Sequence, residues 1–119
     1  MHPDTITGAV NELRERYGTD VHVAQDGART LVRINDVPLP PGCQPLATDL
    51  LLVLDPSQAK PLHYVRPGQT LSNGQPVQNS STVVLAGESW MTFSFNVPYL
   101  KGDSLARFAT AVRQRFGKP

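Results

Sequence analysis

The sequence is poor in the features that would narrow its function at once. One cysteine, Cys43, stands in 119 residues, so no disulfide can close within the chain. An excess of one charge sign is missing too, because eleven Lys and Arg against ten Asp and Glu leave a formal net charge of +1. A duplex-binding protein draws most of its affinity from phosphate neutralisation and carries a concentrated basic stripe. Nucleic acid is therefore not an expected partner. No apolar run approaches the roughly twenty residues that span a bilayer, and the N-terminus lacks the basic-then-apolar pattern of a secretory leader. A cytoplasmic location without membrane contact is the expectation. The sequence holds no repeat, low-complexity tract, glycine-rich phosphate loop, G-x-S-x-G elbow or paired-carboxylate signature. His2, His22, His63 and Cys43 are dispersed rather than spaced as zinc ligands, so neither a metal nor a cofactor is expected.

What is present describes one domain. Hydrophobic residues at 39% and charged residues at 18% are globular values, while eleven prolines and nine glycines point to long loops. The stretch Leu50-Leu51-Leu52-Val53-Leu54, bounded by Asp49 and Asp55-Pro56, reads as a strand buried on both faces at the centre of a sheet. Ahead of it, Ile6, Val10, Leu13 and Tyr17 recur at helical spacing, with Asp4 or Thr5 as the cap and Gly18 closing the helix. Val21 and Val23 then alternate with Asp20 and His22, and Thr30, Val32 and Ile34 alternate with Arg29, Leu31 and Arg33. Asp26-Gly27 between the two runs predicts a hairpin, since glycine tolerates the positive φ of a primed turn. From Asn35 to Gly42 the prolines Pro38, Pro40 and Pro41 oppose ladder pairing and predict a stiff connector.

After the central strand, Leu62 to Val65 predicts a short fourth strand. An irregular arm follows from Pro67 to Gly87, in which Thr82 to Leu85 reads as one more strand or a buried arm. Glu88 to Val97 alternates and reads as extended, with Trp90, Phe93, Phe95 and Tyr99 expected mostly in the core. Asp103 caps a second helix carrying Leu105, Phe108, Ala109, Val112 and Phe116 and closing at Gly117. The expected class is α+β: an N-terminal helix, an antiparallel four-stranded meander, an irregular arm and a C-terminal helix.

Several short pieces, in this order and spacing, carry a resemblance. They are Leu39-Pro40-Pro41-Gly42, the Asp49 to Leu54 strand, Gly87-Glu88-Ser89-Trp90 followed by Phe93-Ser94, and Lys101-Gly102-Asp103-Ser104-Leu105. Together they make the chain similar to the prokaryotic family E of ubiquitin-conjugating-enzyme-like proteins. The resemblance implies the ubiquitin-conjugating fold and a place in a bacterial ubiquitin-like conjugation system, with an anti-phage role. The resemblance implies company with a ubiquitin-like modifier, an activating enzyme and a metal-dependent deubiquitinase-like peptidase, and the expected partners are the modifier with the activating enzyme, a competent conjugating enzyme, or both. By the same analogy the first helix around Arg14 and Arg16 faces the activating enzyme, and Pro40 and Pro41 lie near the ligase-facing end.

A conjugating enzyme needs a thiol on the arm after the fourth strand and an asparagine beside it for the oxyanion. The arm here holds no cysteine, and Arg66-Pro67-Gly68 stands where a His-Pro-Asn triplet is usual. Cys43 lies before the central strand instead, in a segment without a cationic neighbour to lower its pKa. Ser72, Ser80 and Ser81 lie on the arm, but no histidine accompanies them as a base. Three expectations follow. The first is a catalytically inactive adaptor or partner subunit. The second is a divergent conjugating enzyme that carries the modifier on Cys43 or an arm serine. The third is an unrelated small structural or ligand-binding domain.

Overall fold

The computed structural model describes residues 3–17, 21–55, 61–77, 80–85, 87–92 and 105–117. Helix α1 (Pro3–Tyr17) leads into β1 (Val21–Asp26), β2 (Arg29–Pro38), β3 (Ala47–Leu54) and β4 (Leu62–Val65). Strands β5 (Ser81–Leu85) and β6 (Glu88–Thr92) follow, and helix α2 (Leu105–Arg115) comes last. The strands form one sheet in the order β1-β2-β3-β4-β6-β5, with every neighbouring pair antiparallel. The protein is therefore α+β, with helices at both ends of the strand series.

The expected four-stranded meander is present as β1 to β4, but among the described residues the sheet has six strands. The difference arises where an irregular arm was expected. Ser81 to Leu85 pairs with Glu88 to Thr92 across a two-residue connection, and β6 then docks on β4 through Tyr64↔Thr92 and Val65↔Met91. β-Branched Thr82, Val83 and Val84 suit such a pleated surface, and Gly87 supplies a φ of +79° at the turn.

Prolines do not end β2 where expected. Val37 and Pro38 still pair with Thr48 and Ala47, after a register shift between Ile34 and Val37. A bulge absorbs the extra residue there, and Asp36 takes φ +53° to make it. Proline is tolerated because Pro38 is the last residue of the strand. Helix α1 begins at Pro3, ahead of the expected caps Asp4 and Thr5, in keeping with the fixed φ that suits proline to a first helical position. The hairpin turn sits on Gly27 and Ala28, because Asp26 pairs with Arg29. Asp20, Gly18, Phe93 to Val97, Tyr99, Lys101 to Ser104 and the side chains of Ile6, Tyr17 and Leu105 lie outside the described residues.

Both faces of the central sheet are packed. On one, Val32, Ile34, Leu50, Leu52, Leu54, Val65 and Met91 meet Val10 and Leu13 of α1 and Phe108, Ala109, Val112 and Phe116 of α2. Arg16 Nη1 donates to Thr110 Oγ1 at 3.0 Å, tying the two helices together. On the other face Leu31, Leu51, Val53 and Trp90 form a second cluster, flanked by Leu62, Tyr64, Val83 and Leu85. Leu31, which shares a side of β2 with Arg29 and Arg33, is buried for that reason. Val23, on the same side of β1 as buried Val21, is 39% exposed on this edge strand. Among the described residues no helix is long and apolar enough to cross a membrane.

Three loop segments meet at the C-terminal end of α2. Thr70 N donates to Gln44 O at 3.0 Å, Gln44 N to Thr70 Oγ1 at 2.8 Å, and Ser72 N to Phe116 O at 2.9 Å. The buried Gln69 amide donates from Nε2 to Pro45 O and Thr70 O. Gly42 fits this junction because it has no side chain: its φ is +96°, and an added Cβ would lie 1.9 Å from Ser72 O. Gly74 also has a positive φ, +80°, but faces open space. Gly42→Ala should therefore cost about 2–4 kcal/mol, combining strain with a backbone clash. Gly74→Ala should cost only about 1 kcal/mol. Urea unfolding of both variants checks the contrast, and equal losses would refute the close approach.

Candidate functional site

Four charged residues close a circuit at one end of the second sheet face. Arg33 on β2, Asp49 on β3, Arg66 just after β4 and Glu88 on β6 come from four adjacent strands. Strand alternation puts each of them two residues from a member of the second cluster: Leu31, Leu51, Tyr64 and Trp90 respectively. Asp49 Oδ2 accepts from Arg66 Nε at 3.0 Å and from Arg33 Nη2 at 3.2 Å. Glu88 Oε1 accepts from Arg66 Nη2 at 3.0 Å, and Glu88 Oε2 accepts from Arg33 Nη1. Two further bonds anchor the arginines, from Arg33 Nε to Asn35 Oδ1 at 2.7 Å and from Arg66 Nη1 to Ser89 O at 3.3 Å.

The Arg66 guanidinium lies 4.1 Å from the Trp90 ring centroid and that of Arg33 5.7 Å. Trp90 is 1% exposed, so these cations help to shield an indole that would otherwise meet water, each contact contributing roughly 0.5–2 kcal/mol. The bulge in β2 has a direct part in this, because the Asp36 N–H it turns inward donates to Asp49 Oδ1 at 3.1 Å. Burial would raise the Asp49 pKa, but that N–H and the Arg66 and Arg33 cations outweigh it and hold the carboxyl below its ordinary value. The Arg66 guanidinium, though disfavoured by burial, is held charged by Glu88 and Asp49.

Two arginines and two carboxylates satisfy one another, so the circuit is neutral and presents no spare cation to a substrate. Its two carboxylates, the groups in it that could act as base or nucleophile, are both engaged by the arginines. Its chemistry is positional, joining four strands. The pairing could not be read from the sequence, where these residues are spread over more than fifty positions. The only available signal was parity: each charge falls on the face opposite to the helices.

The thiol occupies a different place. Cys43 is 0% exposed in the core under the loop junction, and its Sγ lies 3.9 Å from Phe116 O. Burial pushes its pKa up, which keeps the sulfur protonated and unreactive. Ser72 is half-buried, while Ser80 and Ser81 are exposed and Ser81 opens β5. Ser72 shares the loop junction with Cys43, its N–H and the Cys43 sulfur both meeting Phe116 O, whereas Ser80 and Ser81 lie at the β5 edge of the sheet. His63 sits on β4 with its ring edge-on to Phe108, 5.7 Å between centroids. Arg66 of the Arg66-Pro67-Gly68 triplet is committed to the circuit.

Arg14 is exposed on the last turn of α1, as is the Thr110-bonded Arg16. Pro40 is half-buried, its side chain close to Gly117, and Pro41 is exposed. Among the described residues no three His, Cys, Asp or Glu side chains gather as a metal site. Comparison with protein-family models, with curated proteins and with solved structures gave no match to this chain.

The depressed Asp49 pKa carries a pH signature. A carboxyl whose folded pKa is below its unfolded value contributes stability that is complete above the unfolded pKa, about 3.9, and is lost as pH falls through the folded one. Asp49→Asn should therefore be less stable than the parent by about 1–2 kcal/mol near pH 7, and the gap should close below about pH 4. Denaturant unfolding followed through Trp90, the chain's single tryptophan, measures it. A gap unchanged in acid would show that the Asp49 charge contributes nothing.

Proposed function

We propose that this chain is a catalytically inactive ubiquitin-conjugating-enzyme-like protein that acts by binding. In this reading it is an adaptor or partner subunit in a bacterial ubiquitin-like conjugation system with an anti-phage role, and it works in the cytoplasm. The observation that carries the inactive part is the burial of Cys43, the sole thiol, at 0% exposure against the Phe116 carbonyl. A thioester carrier must offer a thiolate to a bulky donor, and a buried protonated thiol offers neither charge nor access. Ser80 and Ser81 have access, but the stretch from Pro67 to Gly87 that holds them contains no histidine to activate them.

The conjugation part is supported by architecture and by the short motifs. An N-terminal helix, an antiparallel meander and a C-terminal helix occur in that order, with β5 and β6 extending the sheet to six strands among the described residues. Fold alone does not carry function, so the partner surfaces need their own test. In this reading Arg14 and Arg16 meet an activating enzyme, and Pro40 with the exposed Pro41 lies toward a ligase-facing end.

The direct experiment mixes the chain with a candidate activating enzyme, its ubiquitin-like modifier and ATP, and reads intact masses with and without reductant. The expected result is an unmodified chain within a stable complex. An adduct of one modifier mass overturns the inactive reading: its loss on reduction assigns Cys43, and its persistence assigns an ester or amide at Ser72, Ser80, Ser81 or another side chain. Arg14→Glu, chosen because Arg16 also bonds Thr110, should weaken the activating-enzyme complex roughly three- to tenfold. Unchanged affinity by titration would remove α1 from that interface.

A further inference from the structure

Strand β5 is an edge without the usual protection. Exposed edges in monomeric proteins are commonly guarded by charges, prolines or bulges that deter pairing with another chain. Ser81-Thr82-Val83-Val84-Leu85 has none of these, and its five pairs with β6 run without a register shift. The opposite edge differs, since β1 carries His22 and ends in Asp26 paired with Arg29. Thr82 is exposed, and Val84 is 69% exposed. No helix or loop among the described residues covers that part of β5.

The ladder also dictates which backbone groups face outward. Two residues separate Leu85 from Glu88, a spacing that makes this flanking pair hydrogen-bonded, and bonded pairs alternate along an antiparallel ladder. Leu85, Val83 and Ser81 therefore bond toward β6. Thr82 and Val84 turn their N–H and C=O groups the other way.

From this we propose that β5 pairs antiparallel with β5 of a second copy of this chain, about a two-fold axis at Val83. The register follows from the geometry. Thr82 of one copy faces Val84 of the other and exchanges both backbone bonds with it, Val84 faces Thr82 in the same way, and Val83 faces Val83. All three positions are β-branched and uncharged, so the strand is complementary to itself and no like charges meet across the axis. An isologous contact of this kind closes at two copies and joins the two six-stranded sheets into one. It does not depend on any part in conjugation. With five residues a side, the contact is smaller than a standard interface, which sets the dimer as a weak, concentration-dependent one.

Sedimentation velocity of the full chain from about 10 µM to about 1 mM tests the pairing. The expected result is a mass rising from 13.0 kDa toward twice that value. Val84→Pro removes an outward N–H that β6 does not use, and Val84→Lys places a charge on the edge. Either should weaken dimerisation roughly tenfold or more while far-UV dichroism and Trp90 emission stay as in the parent. A parent chain that remains monomeric throughout the range overturns the proposal, as do folded variants of both kinds that dimerise like the parent.

Discussion

Five consecutive apolar side chains on β3 impose a condition on the whole molecule, because alternate residues of a strand face opposite ways and neither set can be left in water. Leu50, Leu52 and Leu54 face the helices, and Leu51 and Val53 face away from them; all five are at most 5% exposed. Burying each contributes roughly 1.5–3 kcal/mol. The first face is served by α1 and α2 through Leu13, Phe108, Val112 and Phe116. Strand β2 must then be apolar on both sides as well, which accounts for buried Leu31 beside buried Val32.

The second face ends in charge. Where Leu31, Leu51, Tyr64 and Trp90 give way to Arg33, Asp49, Arg66 and Glu88, the sheet exchanges hydrophobic contact for a neutral salt-bridge circuit stacked on an indole. Exposed ion pairs are individually weak, but these groups are partly shielded, share partners and hold each carboxylate with two guanidinium groups. The bulge at Asn35 and Asp36 contributes an N–H to the same circuit. A backbone irregularity and a side-chain network are thereby parts of one device. Arg66, just after β4, is occupied in holding strands together.

The loops place the thiol out of reach by a similar economy. Gly42 touches the Ser72 carbonyl, Phe116 O accepts from Ser72 N, and Cys43 lies beneath with its sulfur toward that same oxygen. The proline-rich approach, the arm and the end of α2 are fastened at one junction. A binding role requires nothing of Cys43 beyond filling that space, whereas a covalent role would require the junction to open.

The sequence by itself determined the elements whose signal is local. Leu50 to Leu54 showed a buried strand, Asp26-Gly27 a hairpin, and the spacing of Val10 with Leu13 and of Phe108 with Val112 and Phe116 two amphipathic helices; each rests on side-chain periodicity within one segment. Tertiary structure alone decided the rest. Whether Thr82 to Leu85 was arm or strand depended on finding Glu88 to Thr92 beside it and β4 beyond. Pro38 stayed in a strand because a bulge upstream reset its register against Thr48 and Ala47. The circuit of Arg33, Asp49, Arg66 and Glu88 was not legible in any one segment, since an ion pair between distant residues is a property of register, which no single strand contains.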